Sequence, residues 1–341
     1  MTLRRQLFRW FPCEHPILFA VLVSLTLLTF LGSLLVGPST VGWQELSGIL
    51  SGNESDPAHL ILLEIRLPRA ILGLMIGITL GLGGAALQGF LRNPLAEPGL
   101  IGVSSFASFG AVITIYTGLS GLFSLALPLG GILGALVAVI LIQLIGGKNG
   151  GTLRLILTGI AISSFASALT SLALNLAPNP FAALEIMFWL MGSLADRSFE
   201  HVWLSAPFMV IGWSLLLVLG RTLDALTLGE ETAQSLGVNL SRVRTQMIVG
   251  VALSVGAATA VSGSIGFVGL VVPHLLRRWV SHKPSTLIFA SALGGACLTL
   301  TADIAVRILS PGQELRLGVL TALIGAPFFL SLILKIKKDL P

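Results

Sequence analysis

The chain has 341 residues, of which 54% are hydrophobic and only 10% charged, against about 25% charged in an ordinary soluble domain, so a soluble globular fold is excluded. The net charge of +5 comes from basic residues scattered between apolar runs, which reads as membrane topology and not as a nucleic-acid surface. Two cysteines, Cys13 and Cys297, leave no disulfide framework and no CxxC site, and 39 glycines point to helices packed backbone to backbone.

In chain order, the basic tail MTLRRQLFR is followed by the uncharged run 15–44, which is long enough to cross a bilayer and has no A-x-A cleavage site after it. It reads as a retained first helix. Further runs without Asp, Glu, Lys or Arg cover 70–91, 98–147, 155–184, 201–220, 245–276, 284–302 and 317–334. The run 98–147 is too long for one span and is punctuated at Thr117–Gly121, so it holds two helices. The run 245–276, interrupted at Ser262–Gly266, holds one helix or two short ones. Counting two makes ten spans, and then only Arg66, Arg69, Arg197, Arg307 and Arg316 of the 20 Lys and Arg fall on the outer side. With nine spans the two sides come out nearly even, so the positive-inside rule selects ten, with both termini cytoplasmic.

The expected fold is therefore an all-α, polytopic bundle of about ten transmembrane helices, one membrane domain over residues 1–341. Span two carries Gly73, Gly77 and Gly81 at spacing four, a close-packing stripe. The larger outer loops are 38–65 and 176–200, the second with an amphipathic stretch, Glu185–Leu194, suited to the interface.

The one long charged excursion, between Arg221 and Arg244, contains LGEETAQSLGV (Leu228 to Val238). Thr227 and Glu230 have capping-box spacing, Glu230 and Glu231 put negative charge on the positive end of a two-turn helix, and Gly237 supplies its stop. A short capped helix between membrane spans is a docking feature for something soluble. Enzyme chemistry is not visible: GGKNGG (Gly146 to Gly151) lacks the Walker A spacing, HExxH and GxSxG are missing, and the five histidines are dispersed. A secondary carrier needs buried coupling acids or bases, and the candidate, Asp303, stands four residues before Arg307, the spacing of a helical ion pair. Span five carries Gly159, Ser163, Ser167 and Ser171 at spacing four, a small and mildly polar face that suits either a neighbouring helix or the wall of a water-filled path.

Four segments taken together, Arg66 to Val103, LGEETAQSLGV, GSIGFVGLVVPHLLRR (Gly263 to Arg278) and ELRLGVLTALIGAPFFL (Glu314 to Leu330), resemble the FecCD family, the permease subunits of bacterial ABC importers (type II) for iron-siderophores, haem and cobalamin. The likeness runs from about residue 17 to 338. It implies an inner-membrane permease paired with a second copy or a paralogue, two cytoplasmic ATPase subunits that carry the ATP and Mg, and a periplasmic substrate-binding protein. No cofactor or metal belongs to this chain itself. By the same resemblance Gly229, Glu230, Glu231, Ala233, Leu236 and Gly237 form the coupling helix that fits a groove on the ATPase. Arg66, Arg69 and Arg307 match positions that pair with acids of the binding protein; as plain residues they also read as interface anchors, with Arg307 serving Asp303. Asn93, Pro94, Leu95 and Thr152 match the cytoplasmic gates, and Gly159, Ser163, Ser167 and Ser171 the central path. Pro273, His274 and Arg277 belong to the family motif and read as fixing span eight. The chelate is not specified, and a proton-coupled carrier or an ABC permease for another small substrate are the alternatives.

Overall fold

A computed structural model describes residues 15–37, 60–147, 151–310 and 315–338. The basic N-terminal tail, residues 38–59 of the first outer loop, residues 148–150 of GGKNGG and Glu314 lie outside the described residues. Thirteen helices and no strand are found among the described residues. They are α1 (Pro16–Leu35), α2 (Leu67–Leu91, preceded by a π-helical turn Ile61–Arg66), α3 (Val103–Tyr116), α4 (Ala126–Gly146), α5 (Thr152–Asn175), α6 (Pro180–Leu190), α7 (Phe199–Val218), α8 (Gly220–Leu226), α9 (Glu230–Ser235), α10 (Leu240–Ser262), α11 (Val268–Arg277), α12 (Pro284–Leu309) and α13 (Leu317–Lys338). Seven of the described helices are long and apolar enough to cross a membrane. The shorter apolar helices are α3, α6 and α13, and the run 245–276 does break into α10 and α11, as the count of ten spans expects.

The core is α2, α10 and α12, with α1, α5 and α7 at the periphery. Small residues explain why α2 and α12 lie closest: a Cβ on Gly77 would run into the backbone of Gly295 and Ala296, and one on Gly81 into that of Ser291. Lipid supplies no hydrophobic drive between helices, so such backbone contact and its dispersion energy hold the pair. Gly73, the third member of the stripe, faces the side chains of Leu300 and Leu194. Trp213 on α7 adds a polar tie to the same core by donating from Nε1 to Thr79 Oγ1 at 2.8 Å.

Two spans are short. At 1.5 Å per residue α3 is about 21 Å long and α11 about 15 Å, against a hydrocarbon core of about 30 Å. Irregular chain adjoins each of them and is only partly covered by protein: Ala96, Pro98 and Ile265 are buried, while Gly99, Leu100 and Ser264 are exposed. Span three does not start at residue 98 as the charge pattern implies. After Arg92, which takes φ +50°, the chain turns back: Asn93 Oδ1 accepts from Leu95 N at 2.9 Å, Pro98–Ile101 form a 3-10 turn, and Pro98 packs beside Gly83 and Gly269. Gly83 stands eight residues before Leu91, so the segment has returned about 12 Å along α2. Span eight begins at Phe267, where φ is +68°, a left-handed conformation that costs a bulky residue of order 1–3 kcal/mol.

Candidate functional site

The short helix between spans six and seven is present but built differently from its sequence pattern. It is six residues long, its N-cap is Gly229 at φ +105°, and no capping box forms. Thr227 is the C-cap of α8 and its hydroxyl donates to Asp224 O at 2.7 Å, which takes it away from Glu230. The stop is as expected: Gly237 takes φ +90°, its N–H donates to Gln234 O at 2.8 Å, and Val238 N donates to Ala233 O at 3.0 Å, the paired bonds of a Schellman ending. Ala233 is fully buried and seats the helix, while Leu228 and Leu236 stand 63% and 65% exposed beside it. Rigid joints lie on both sides, where Asp224 Oδ1 accepts from Ser285 N at 2.8 Å and Asn239 Oδ1 caps α10 by accepting from Arg242 N at 3.0 Å.

Glu231 faces outward, but Glu230 turns inward to the positions expected as gates. Its Oε1 accepts from Thr152 Oγ1 at 3.2 Å and from Arg92 Nη2 at 3.4 Å. Thr152 opens α5, and Arg92 directly precedes Asn93, Pro94 and Leu95. A cavity of about 500 Å³ lies beneath these contacts, lined among others by Thr152, Leu155, Glu230, Gln234 and Arg244.

The small face of α5 divides along its length. Gly159 is flush against the backbone of Leu100 and Ile101, and Ser163 donates weakly to Gly99 O at 3.4 Å, so this half packs on the returning segment. Ser167 and Ser171 are exposed.

Arg66, Arg69 and Arg307 come together at the opposite end of the bundle. Arg69 binds Asp303 through Nη2 at 2.8 Å and Nε at 3.0 Å, and Arg307 reaches the other carboxylate oxygen at 2.5 Å. Arg307 Nη1 also donates to Ser33 O and Val36 O, and Arg66 Nη1 to Leu34 O and Leu35 O, which satisfies the last carbonyls of α1. The spacing of Asp303 and Arg307 foreshadowed their pair. Arg69, 234 residues away, could not be foreseen as its third member.

Several residues escape sequence reasoning. Glu97, which charge counting puts on an inner loop, is half-buried against the start of α11 and accepts from Phe267 N at 2.6 Å. The Phe267 side chain occupies the space that a Cβ on Gly325 of α13 would need. Arg277 Nη2 donates to Gln88 Oε1 at 2.6 Å, and His274 meets Phe328 edge-on with ring centroids 5.7 Å apart, so the VVPHLLRR motif fixes α11 against α2 and α13. The available signals were Pro98 and Gly102, breakers that delay the start of span three.

The model of the FecCD transport family matches residues 25–335. The chain is 36% identical to the hemin transport system permease protein HmuU of Yersinia pestis over 326 residues, which are 94% of this chain and 96% of that protein. It is 36% identical to the vitamin B12 import system permease protein BtuC of Salmonella paratyphi A, over 92% of this chain and 94% of that one. A solved inward-facing structure of a metal-chelate type ABC transporter superposes with a TM-score of 0.82 at 36% identity, covering 94% of this chain and 99% of that chain.

Proposed function

We propose, from the premise that this chain belongs to the FecCD transport family and is an ABC-transporter permease, that it imports an iron chelate of siderophore or haem type, or a cobalamin, across the bacterial inner membrane. In this reading two permease chains form the path and a periplasmic binding protein delivers the cargo. Two cytoplasmic ATPase subunits, which hold the ATP and Mg, bind at the α9 end, the side that also holds both termini. The cargo class follows the relatives' own substrates, hemin and vitamin B12.

The observation that carries the reading is α9 itself. A six-residue helix seated on a buried alanine, closed at both ends by left-handed glycines and flanked by exposed leucines, has the form of a rigid lever. Glu230 joins that lever to Arg92 and Thr152, so ATPase motion has a route to the inner gates at Asn93, Pro94, Leu95 and Thr152. Ser167 and Ser171 are then path-facing, and Gly159 and Ser163 hold the gate segment from behind. Both oxygens of Asp303 are held by arginines, which argues against its use as a proton carrier. Docking of the binding protein falls to the face shaped by Arg66, Arg69 and Arg307, with Arg69, whose side chain is 18% exposed, nearest to a partner.

Copurification tests this directly. The ATPase subunits are expected to stay with the unmodified chain and to be lost, or to hydrolyse ATP without hemin or cobalamin uptake, with Gly237→Pro, because proline cannot take φ +90°. Uptake by that variant at the unmodified rate would remove the coupling role of α9.

A further inference from the structure

We propose that Glu97 is a positioning residue of the transport cycle: its carboxylate clamps the returning gate segment to the start of α11, and through Phe267 it carries gate movement to α13. The proposal rests on the permease reading above and adds a second, half-buried joint to the more exposed contacts of Glu230.

A carboxylate half-buried among apolar helices is unfavourable unless donors meet it, so its partner points to its use. The donor here is Phe267 N–H, at 2.6 Å, at the positive end of α11, where a short charge-assisted bond is strongest. On one side Glu97 is two residues from Leu95, and Pro98 is wedged against Gly269 and beside Gly83, so the segment and the first turn of α11 fit each other closely. On the other side Phe267 is held in the left-handed region with its side chain filling the notch at Gly325. That notch adjoins a groove of about 630 Å³ whose lining includes Gly266, Phe267, Ala322, Leu323 and Pro327. Meanwhile the far end of α11 is tied to α2 by Arg277 and Gln88 and touches α13 through His274 and Phe328. A shift of Leu95 therefore cannot leave Phe267 and the groove wall of α13 in place while the Glu97 bond holds.

The test uses two thiol reporters, Leu95→Cys before the clamp and Ala322→Cys beyond it, each in a Cys13→Ser, Cys297→Ser chain complexed with its ATPase subunits. Labelling by a water-soluble maleimide is compared with and without ATP and vanadate. Both reporters are expected to respond to nucleotide in the otherwise unmodified chain. With Glu97→Ala the Leu95 reporter should still respond and the Ala322 reporter should lose its response, whereas Glu97→Gln, which keeps an acceptor for Phe267 N–H, should retain it. Gly325→Ala, which displaces Phe267 with the carboxylate intact, should give the same loss and serves if Glu97→Ala does not assemble. A preserved Ala322 response in Glu97→Ala or Gly325→Ala, or its loss in Glu97→Gln, overturns the clamp. No response at either reporter in the unmodified complex would instead overturn the proposed coupling of the ATPase to the gates, and the clamp with it.

Discussion

The two ends of the bundle hold their charges in opposite ways. At one end Asp303 is 1% exposed and gripped by Arg69 and Arg307, and two arginines also satisfy the carbonyls that close α1. At the other, Glu230 and Arg92 are 41% and 47% exposed and 3.4 Å apart, with Thr152 as a second, equally loose partner. Buried, multiply bonded charge fixes one arrangement, because any alternative leaves an ion without partners. Exposed pairs contribute little and exchange readily with water. The Asp303 end therefore works as a staple across α1, α2 and α12, and the Glu230 end is a contact that can be made and broken at little cost.

The largest effect that follows from this contrast is at Asp303. Replacing it with alanine leaves two guanidinium groups without their shared acceptor, and breaking a buried pair from one side typically costs about 3–5 kcal/mol. Asp303→Ala is expected to lower the thermal denaturation midpoint of the detergent-solubilised chain sharply, with Asp303→Asn between it and the unmodified protein. An unchanged midpoint would mean that the network is not a staple.

How much of this could be read in advance depends on the distance over which each feature acts. The break at Ser262–Gly266 and the stop at Gly237 are local, set by glycines and a charge-free run, and both were legible. Asp303 and Arg307 were legible because four residues is one helical turn. The Thr227 capping box was a local pattern that failed for a local reason: Gly229 takes a conformation available to few other residues, so the helix starts after it and the Thr227 hydroxyl turns back to Asp224. Glu97 was hidden for a different reason. Hydropathy places a charged residue outside the bilayer, and nothing in composition tells a surface loop from a segment that doubles back until its partner, Phe267, is known 170 positions on. Arg69 with Asp303 and Gln88 with Arg277 are likewise pairings of tertiary structure alone.

An intermediate effect is expected at the looser end. Glu230→Ala removes two long contacts from half-exposed groups, so stability should fall by less than about 1 kcal/mol. If the contact transmits motion, uptake should nevertheless fall while the ATPase remains bound, and Glu230→Gln should recover part of it by keeping an acceptor for Thr152. A variant that loses stability as Asp303→Ala does, or that transports normally, would erase the distinction between staple and moving contact.

The smallest effect belongs to the serine face of α5, where the contrast can be sharpened within one helix. Ser163 donates to Gly99 O at 3.4 Å, too long to contribute much, and Ser167 is exposed, so Ser163→Ala and Ser167→Ala should each stay within about 0.5 kcal/mol of the unmodified chain. Size separates the two positions where polarity does not. Ser167→Trp projects into open space, and if that space is the path the variant should fold normally and block uptake. Ser163→Trp has the chain at Gly99 to its side and should displace the segment that leads to Glu97, with a loss of thermal stability that Ser167→Trp does not show. Cysteines at the two positions give an independent reading: Ser167→Cys should react readily with a water-soluble maleimide and Ser163→Cys slowly. Equal reactivity at both would mean that the inner half of α5 is as open as the outer, and that the returning segment does not rest against it as a gate must.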